Sequence, residues 1–194
     1  MYRAITWAML TNGVDVNDPT AIAQAAGNSR ITSLTDPGAP GIWVDDVDVA
    51  EPIRSEVITG AVSAVSAVPE VRERLVADQR AQVAASVEAG RGIVVEGRDI
   101  GTVVVPDAPL KIYLIADPEV RARRRALEHS SGAPVGGDAL VETQAALVKR
   151  DELDSGRAVS PLSQAEDATV LDTSFLTLDE VIARVCTLAE ETRS

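Results

Sequence analysis

Three short apolar runs, residues 93–96 (IVVE), 110–116 (LKIYLIA) and 168–174 (ATVLDTS), constrain this chain more than any other feature. Two stretches with helical spacing separate the second run from the third. Strands that alternate with helices imply a parallel sheet with helices on its faces, so the chain is expected to be α/β. The first run stops abruptly in GIVVEGRDIG, where Arg98 and Asp99 follow Gly97 at once. In open α/β sheets ligands bind outside the carboxyl ends of the strands, which makes these two charges candidates for binding. Gly97 would let the backbone turn tightly or approach a ligand. A purely structural ion pair is the alternative meaning.

The rest of the chain reads in order. Residues 2–10 have a helical pattern that ends at Asn12-Gly13. Asp18-Pro19 opens a short helix that stops near Gly27-Asn28. SRITSLT and GIWVDD flank the turn-forming DPGAPG and predict a small antiparallel ribbon. Residues 51–89 are helical in pattern, with a break before Pro69. Asp117-Pro118 starts a helix bearing Arg121, Arg123, Arg124 and Arg125, and a helix over about 138–154 returns after the flexible-looking SSGAPVGG. The third apolar run is expected to be a buried strand. Thr177 and Glu180 have the spacing of a capping box for the last helix.

Composition narrows the function. Aromatic residues are 3% of 194, so a core must come from Ala, Val, Leu and Ile. A net charge of −12 argues against a general nucleic-acid binder. Lys111 and Lys149 are the only lysines, so the remaining basic residues are arginines, suited to a planar grip on phosphate or carboxylate. Cys186 stands alone, which excludes an internal disulfide and points to a cytoplasmic setting, with the thiol expected in the core. His129 is also alone, expected on the surface, and a His-rich metal site is excluded. No apolar run has membrane-spanning length, and MYRAITWAML has no export pattern.

A second constellation lies in KRDELDSGRAVSPL, where Arg150, Asp154 and Arg157 share one face if the helix holds that far. Arg121 and Arg125 also share a face. A solvated salt bridge is the usual meaning of such spacing. Two arginine-bearing helices joined by a glycine-rich loop also have the form of a lid that closes over polyphosphate.

Taken with MYR, SAVSAVPEVR, GRDIGTVVVPDAPLKIYL and RARR, these residues span nearly the whole chain. Their order resembles that of the bacterial cytidylate kinases, nucleoside monophosphate kinases that phosphorylate CMP and dCMP from ATP. The resemblance implies a P-loop kinase-like parallel sheet with flanking helices, incomplete at the N-terminus, with a small antiparallel insert and a helical lid. It implies one kinase domain over 1–194, a CMP-binding insert at about 28–90 and a lid at about 121–157. Arg3, Arg98 and Arg157 would hold the CMP phosphate, and Arg150 and Asp154 the ribose. Ser63, Arg72 and Asp99 would read the cytosine, with Asp99 accepting from the exocyclic amine and Arg72 donating to ring acceptors. Arg121 and Arg125 would approach the transferring group. ATP is the implied donor, Mg²⁺ would bridge its phosphates, and the complete family protein is expected to be a cytoplasmic monomer.

The chain departs from the family at one motif. No glycine in it is followed by lysine, so the phosphate-binding loop G-x-x-x-x-G-K-[ST] is absent from these 194 residues. In the family that loop precedes the MYR helix, and the strand–loop–helix–strand unit holding it is roughly 30 residues or more. The expectation is a shortened N-terminus, a sheet lacking a common neighbour for the strands ending near residues 96 and 116, and a chain that does not turn over as written. Backbone groups left unpaired by such a gap would cost about 1–3 kcal/mol each. An inactive CMP-binding remnant, or an oligomer that exchanges strands, would account for the same gap. Another small-molecule kinase of the same architecture would lack the base-reading set, and an arginine-rich interaction module would show no nucleotide preference.

Overall fold

The computed structural model describes residues 1–129, 137–156 and 161–193. They divide into two compact units, Met1–Glu96 and Gly97–Ser194.

The first unit is built around α1 (Tyr2–Thr11), α2 (Pro19–Ala25), α3 (Glu56–Ala67) and α4 (Pro69–Glu88). Helix α1 works through two faces. Ile5 and Met9 pack with Ile22 of α2, Val65 of α3 and Val71 and Leu75 of α4. Ala4 and Ala8, on the adjoining face, pack with Val44 and Val49. Their short side chains let the ribbon lie close against the helix. That ribbon is the expected antiparallel pair, β1 (Ile31–Leu34) with β2 (Gly41–Val44), extended by an unanticipated β3 (Val47–Asp48). The β2–β3 turn places Asp45 and Asp46 at φ 48° and 70°, a geometry more often given to Asn-Gly. Asp45 is held there, its carboxylate accepting from the Arg30 amide at 2.7 Å. Gly41 has a steric reason: a Cβ at that position would collide with the Trp43 ring. Asp18 caps α2 as expected, accepting from the Thr20 amide at 2.8 Å, and the break before Pro69 separates α3 from α4.

The second unit pairs β4 (Ile112–Ile115) with β5 (Thr169–Asp172) in parallel, Ile112 opposite Thr169. Between them run α5 (Pro118–His129) and α6 (Gly137–Ser155), which pack on each other. This is the crossover that parallel pairing requires. Lys111 and Asp167 pair at 2.5 Å where the two strands begin. At the far ends of the strands, Asp172, the last residue of β5, accepts from both the amide and hydroxyl of Ser174, whose Oγ accepts from the Asp117 amide at 2.9 Å. Arg124 of α5 donates to the Thr173 hydroxyl and carbonyl at 2.9 and 2.5 Å and to the Leu176 carbonyl at 3.0 Å. The capping box forms, opening α7 (Leu178–Arg193): Glu180 accepts from the Thr177 amide and hydroxyl, both at 2.8 Å.

Three expectations need correction. Residues 93–96 are not a strand, and Val94 is 96% exposed. A strand exists through its ladder partners, and among the described residues none pairs with this run. The ATVLDTS strand forms but is not buried as a whole: Leu171 is buried, while Val170 is exposed, as is Leu114 on β4. A two-stranded sheet cannot bury both faces of its strands. Cys186 is exposed on α7 rather than in the core. The stretch SSGAPVGG lies outside the described residues up to residue 136, and the side chain of His129 is likewise outside them.

Candidate active site

The bend at residues 97–99 leads into a π-helical turn, Ile100–Val104, whose Val103 and Val104 amides bond back to the Asp99 carbonyl at 2.9 and 3.3 Å. This closure buries Asp99 and leaves Arg98 partly accessible. Arg98 Nη1 reaches Asp151 Oδ1 and Asp154 Oδ2, each at 2.8 Å. Residues three apart on a helix share a face, so α6 presents both carboxylates to one guanidinium. Asp154 has no exposed surface, and its carbonyl accepts from the Leu162 amide at 2.9 Å. Arg150 stands one turn back on α6, with Nε 3.8 Å from Asp154 Oδ2. From the facing helix α5, Arg121 Nη1 meets Asp151 Oδ2 at 2.6 Å.

Arg121, Asp151, Arg98, Asp154 and Arg150 thus form one continuous charged row with a positive balance. Burial alone would raise the Asp151 carboxyl. Hydrogen bonds from Arg121 and Arg98, together with their charges, outweigh it and hold the carboxyl below the ordinary aspartate range. Such a row can accept an anion, because guanidinium groups bound to carboxylates already have the donor geometry that phosphate oxygens use.

The sequence-derived set is distributed unevenly. The structure gathers Arg98, Arg150, Asp154 and Arg121. Arg125 takes a different partner, Glu128, at 3.0 Å, despite sharing the spacing of Arg121. Arg157 lies outside the described residues. In the first unit, Arg3 donates to the Ile53 carbonyl at 2.6 Å and the Thr59 hydroxyl at 2.7 Å. Ser63 and Arg72 are linked through Ser66. The Ser66 hydroxyl donates to the Ser63 carbonyl at 3.2 Å, and Arg72 donates to the Ser66 carbonyl at 3.2 Å. Arg72 is buried, its guanidinium 5.4 Å from the centre of the Tyr2 ring, a distance at which the ring quadrupole attracts a cation.

Sequence reasoning missed Asp151. Its signal was present, since Asp151 and Asp154 stand at i and i+3 in the same KRDELDSGR stretch. What the spacing could not supply was the second helix that makes Asp151 a bridge.

A sequence model of the family described as cytidylate kinase matches residues 1–191. The chain is 58% identical over 193 residues to a cytidylate kinase of Streptomyces avermitilis, covering all of this chain and 80% of that protein. It is 50% identical to a cytidylate kinase of Rhodococcus opacus, with 98% of this chain and 81% of the relative covered. For a cytidylate kinase of Corynebacterium diphtheriae the identity is 46%, with 98% and 80% covered. The chain therefore spans about four-fifths of the length of these relatives. With a parallel strand pair, its helical crossover and an arginine row beside it already in place, this match settles the family: the chain belongs to the cytidylate kinases, which are phosphotransferases.

Proposed function

We propose that the protein acts in transfer of the terminal phosphate of ATP to CMP or dCMP, and that Arg98, gathered with Arg150 of α6 and Arg121 of α5, receives the acceptor's phosphate. The observation that carries this reading is the gathering of Arg98, Arg121 and Arg150 around Asp151 and Asp154 in a chain of this family. The attacking oxygen of CMP is already ionised at neutral pH, so the reaction needs positioning and charge neutralisation rather than a general base. Arg98 supplies donors for the phosphate. Asp154, fixed by burial, holds Arg98 and stands beside Arg150, where a carboxylate and a guanidinium could meet the two hydroxyls of a ribose. The roles of Arg3, Arg157, Ser63, Arg72 and Asp99 toward the phosphate and cytosine rest on the family resemblance, as does an approach of Arg121 and Arg125 to the donor. So do the division into an insert at about 28–90 and a lid at about 121–157, a cytoplasmic setting and a monomeric state.

Mg²⁺ is implied by the donor. Among the described residues no three His, Cys, Asp or Glu side chains are grouped to hold a metal. Asp151 and Asp154 are engaged by guanidinium groups at 2.6–2.8 Å. The described residues therefore do not fit a protein-built Mg²⁺ site. The donor's phosphates also find no Gly-Lys loop within the 194 residues. In-line transfer needs the donor fixed by amides, lysine and metal together.

A thermal-shift panel of CMP, UMP, AMP and shikimate tests the reading. CMP should stabilise the chain most. A larger shift with AMP or shikimate would favour a different small-molecule kinase, and no shift with any of the four would contradict acceptor binding. CMP-dependent consumption of ATP reads the transfer itself.

A further inference from the structure

We propose that Asp151 is a positioning residue that couples Arg98 to Arg121, so that the state of helix α5 sets how tightly Arg98 holds the acceptor's phosphate. The inference rests on the reading of Arg98 as a phosphate ligand. Asp151 spends its two oxygens on two different parts of the unit: Oδ1 on Arg98, in the bend before the π-helical turn, and Oδ2 on Arg121, on α5. Arg98 is at the same time claimed by Asp154 through the same Nη1. A phosphate that takes Arg98 shares the charge of that guanidinium with both carboxylates. Asp154 is a fixed competitor, fully buried on α6. Asp151 is an adjustable one, because every increment of its charge satisfied by Arg121 is withdrawn from Arg98. The lowered carboxyl of Asp151 is consistent with a group that stays ionised and bridges two cations. Arg121 on α5 thereby loosens Arg98 for the incoming phosphate without itself touching CMP.

Removing Arg121 leaves Asp151 wholly to Arg98, so CMP should bind more weakly while cytidine, which has no phosphate, should be unaffected. Neutralising Asp151 removes the adjustable competitor, so CMP should bind more tightly and Arg121 should cease to matter. Coupled charges in one network interact measurably, and for partly exposed pairs such as these the change should be about three-fold.

The experiment is calorimetric titration of the 194-residue chain with CMP and with cytidine, for wild type, Arg98→Ala, Arg121→Ala, Asp151→Asn, the Arg121→Ala/Asp151→Asn double variant and Asp151→Glu. The expected result is a Kd for CMP raised about three-fold by Arg121→Ala and lowered by Asp151→Asn. The double variant should match Asp151→Asn, and Asp151→Glu should restore the dependence on Arg121. Cytidine should bind alike throughout. A plain strap between α5 and α6 would lower thermal stability and weaken both ligands equally, which would overturn the proposal. So would an effect of Arg121→Ala that persists unchanged without the Asp151 charge, or weaker CMP binding by Asp151→Asn. If Arg98→Ala weakens CMP and Arg121→Ala does not, the coupling fails and the phosphate reading stands. If Arg98→Ala leaves CMP unchanged, or wild type binds no CMP, both fail.

Discussion

The two units of this chain are held together by different physics. In the first, Ile5, Met9, Ile22, Val65, Val71 and Leu75 form a closed apolar cluster with almost no exposed surface. Among the described residues of the second, the buried apolar set is thin (Val104, Ala122, Ala126 and Leu171), and Asp99, Asp154, Thr173 and Ser174 are buried as well. Apolar packing is neither screened by dissolved ions nor titrated by protons. Ion pairs are both. The comparison teaches where anions can be exchanged: a unit that keeps guanidinium and carboxylate groups paired and partly dry can swap one anion for another, whereas the apolar cluster of the first unit serves to hold that unit's own polar groups, Arg72 among them, in place. It also predicts that the two units respond differently to the same perturbation.

The largest expected effect is in the first unit. Leu75 is fully buried in its cluster, so Leu75→Ala should cost about 2–5 kcal/mol, cavity included. Urea unfolding followed by circular dichroism measures it, and the loss should be the same at low and high salt. A loss under about 1 kcal/mol would mean that the core closes over the gap and is not tightly packed.

Asp154→Ala is the matching change in the second unit. It strips a buried carboxylate from Arg98 and Arg150. Breaking a fully buried pair costs about 3–5 kcal/mol, but both arginines are about a third exposed, so about 1–2 kcal/mol is expected here. In contrast to Leu75→Ala, the cost should shrink as salt rises. A salt-independent loss would erase the distinction between the units.

Acid should separate them as well. The folded Asp151 carboxyl lies below its ordinary value, so the unfolded chain binds the proton more readily. Its contribution is therefore fully present above about pH 4, the unfolded aspartate value, and is lost as pH falls through the lower folded value. Hydrogen exchange between pH 5 and 3 should show α5 and α6 losing protection before α1 and α4. Asp151→Asn should flatten that difference. Simultaneous loss in both units would contradict it.

The smallest effect expected is a gain. Asp46 sits at φ 70°, where glycine carries no Cβ penalty, and its partner Arg30 is largely exposed, so that ion pair contributes little. Asp46→Gly should stabilise the ribbon by about 0.5 kcal/mol, read as a small rise in melting temperature. A fall would show that the Arg30 pair outweighs the backbone.

These contrasts mark what could be read from the chain. Local signals were legible. The Thr177–Glu180 box, the Asp18 cap and the break before Pro69 each depend on residues within one turn of one another. The arginine row was half legible: helix spacing placed Arg150 and Asp154 together, but only tertiary packing brings α5 against α6 and makes Asp151 the bridge. Residues 93–96 failed for the opposite reason. Their β-branched run fits a strand locally, yet a strand needs a neighbour that sequence patterning does not supply. Cys186 misleads because an apolar helix pattern suggests burial without saying which side is covered, and α7 leaves Ile182 and Cys186 exposed.

The central claim is that Arg98, set between Asp151 and Asp154, receives the phosphate of CMP. It is tested most directly by titrating the wild-type chain and Arg98→Ala with CMP and with cytidine. The account predicts that wild type prefers CMP, and that Arg98→Ala removes most of that preference, about 1.5–3 kcal/mol for an ionic contact to phosphate, while cytidine binding stays put. Equal affinity of the wild-type chain for CMP and cytidine, or an undiminished preference in Arg98→Ala, would contradict it.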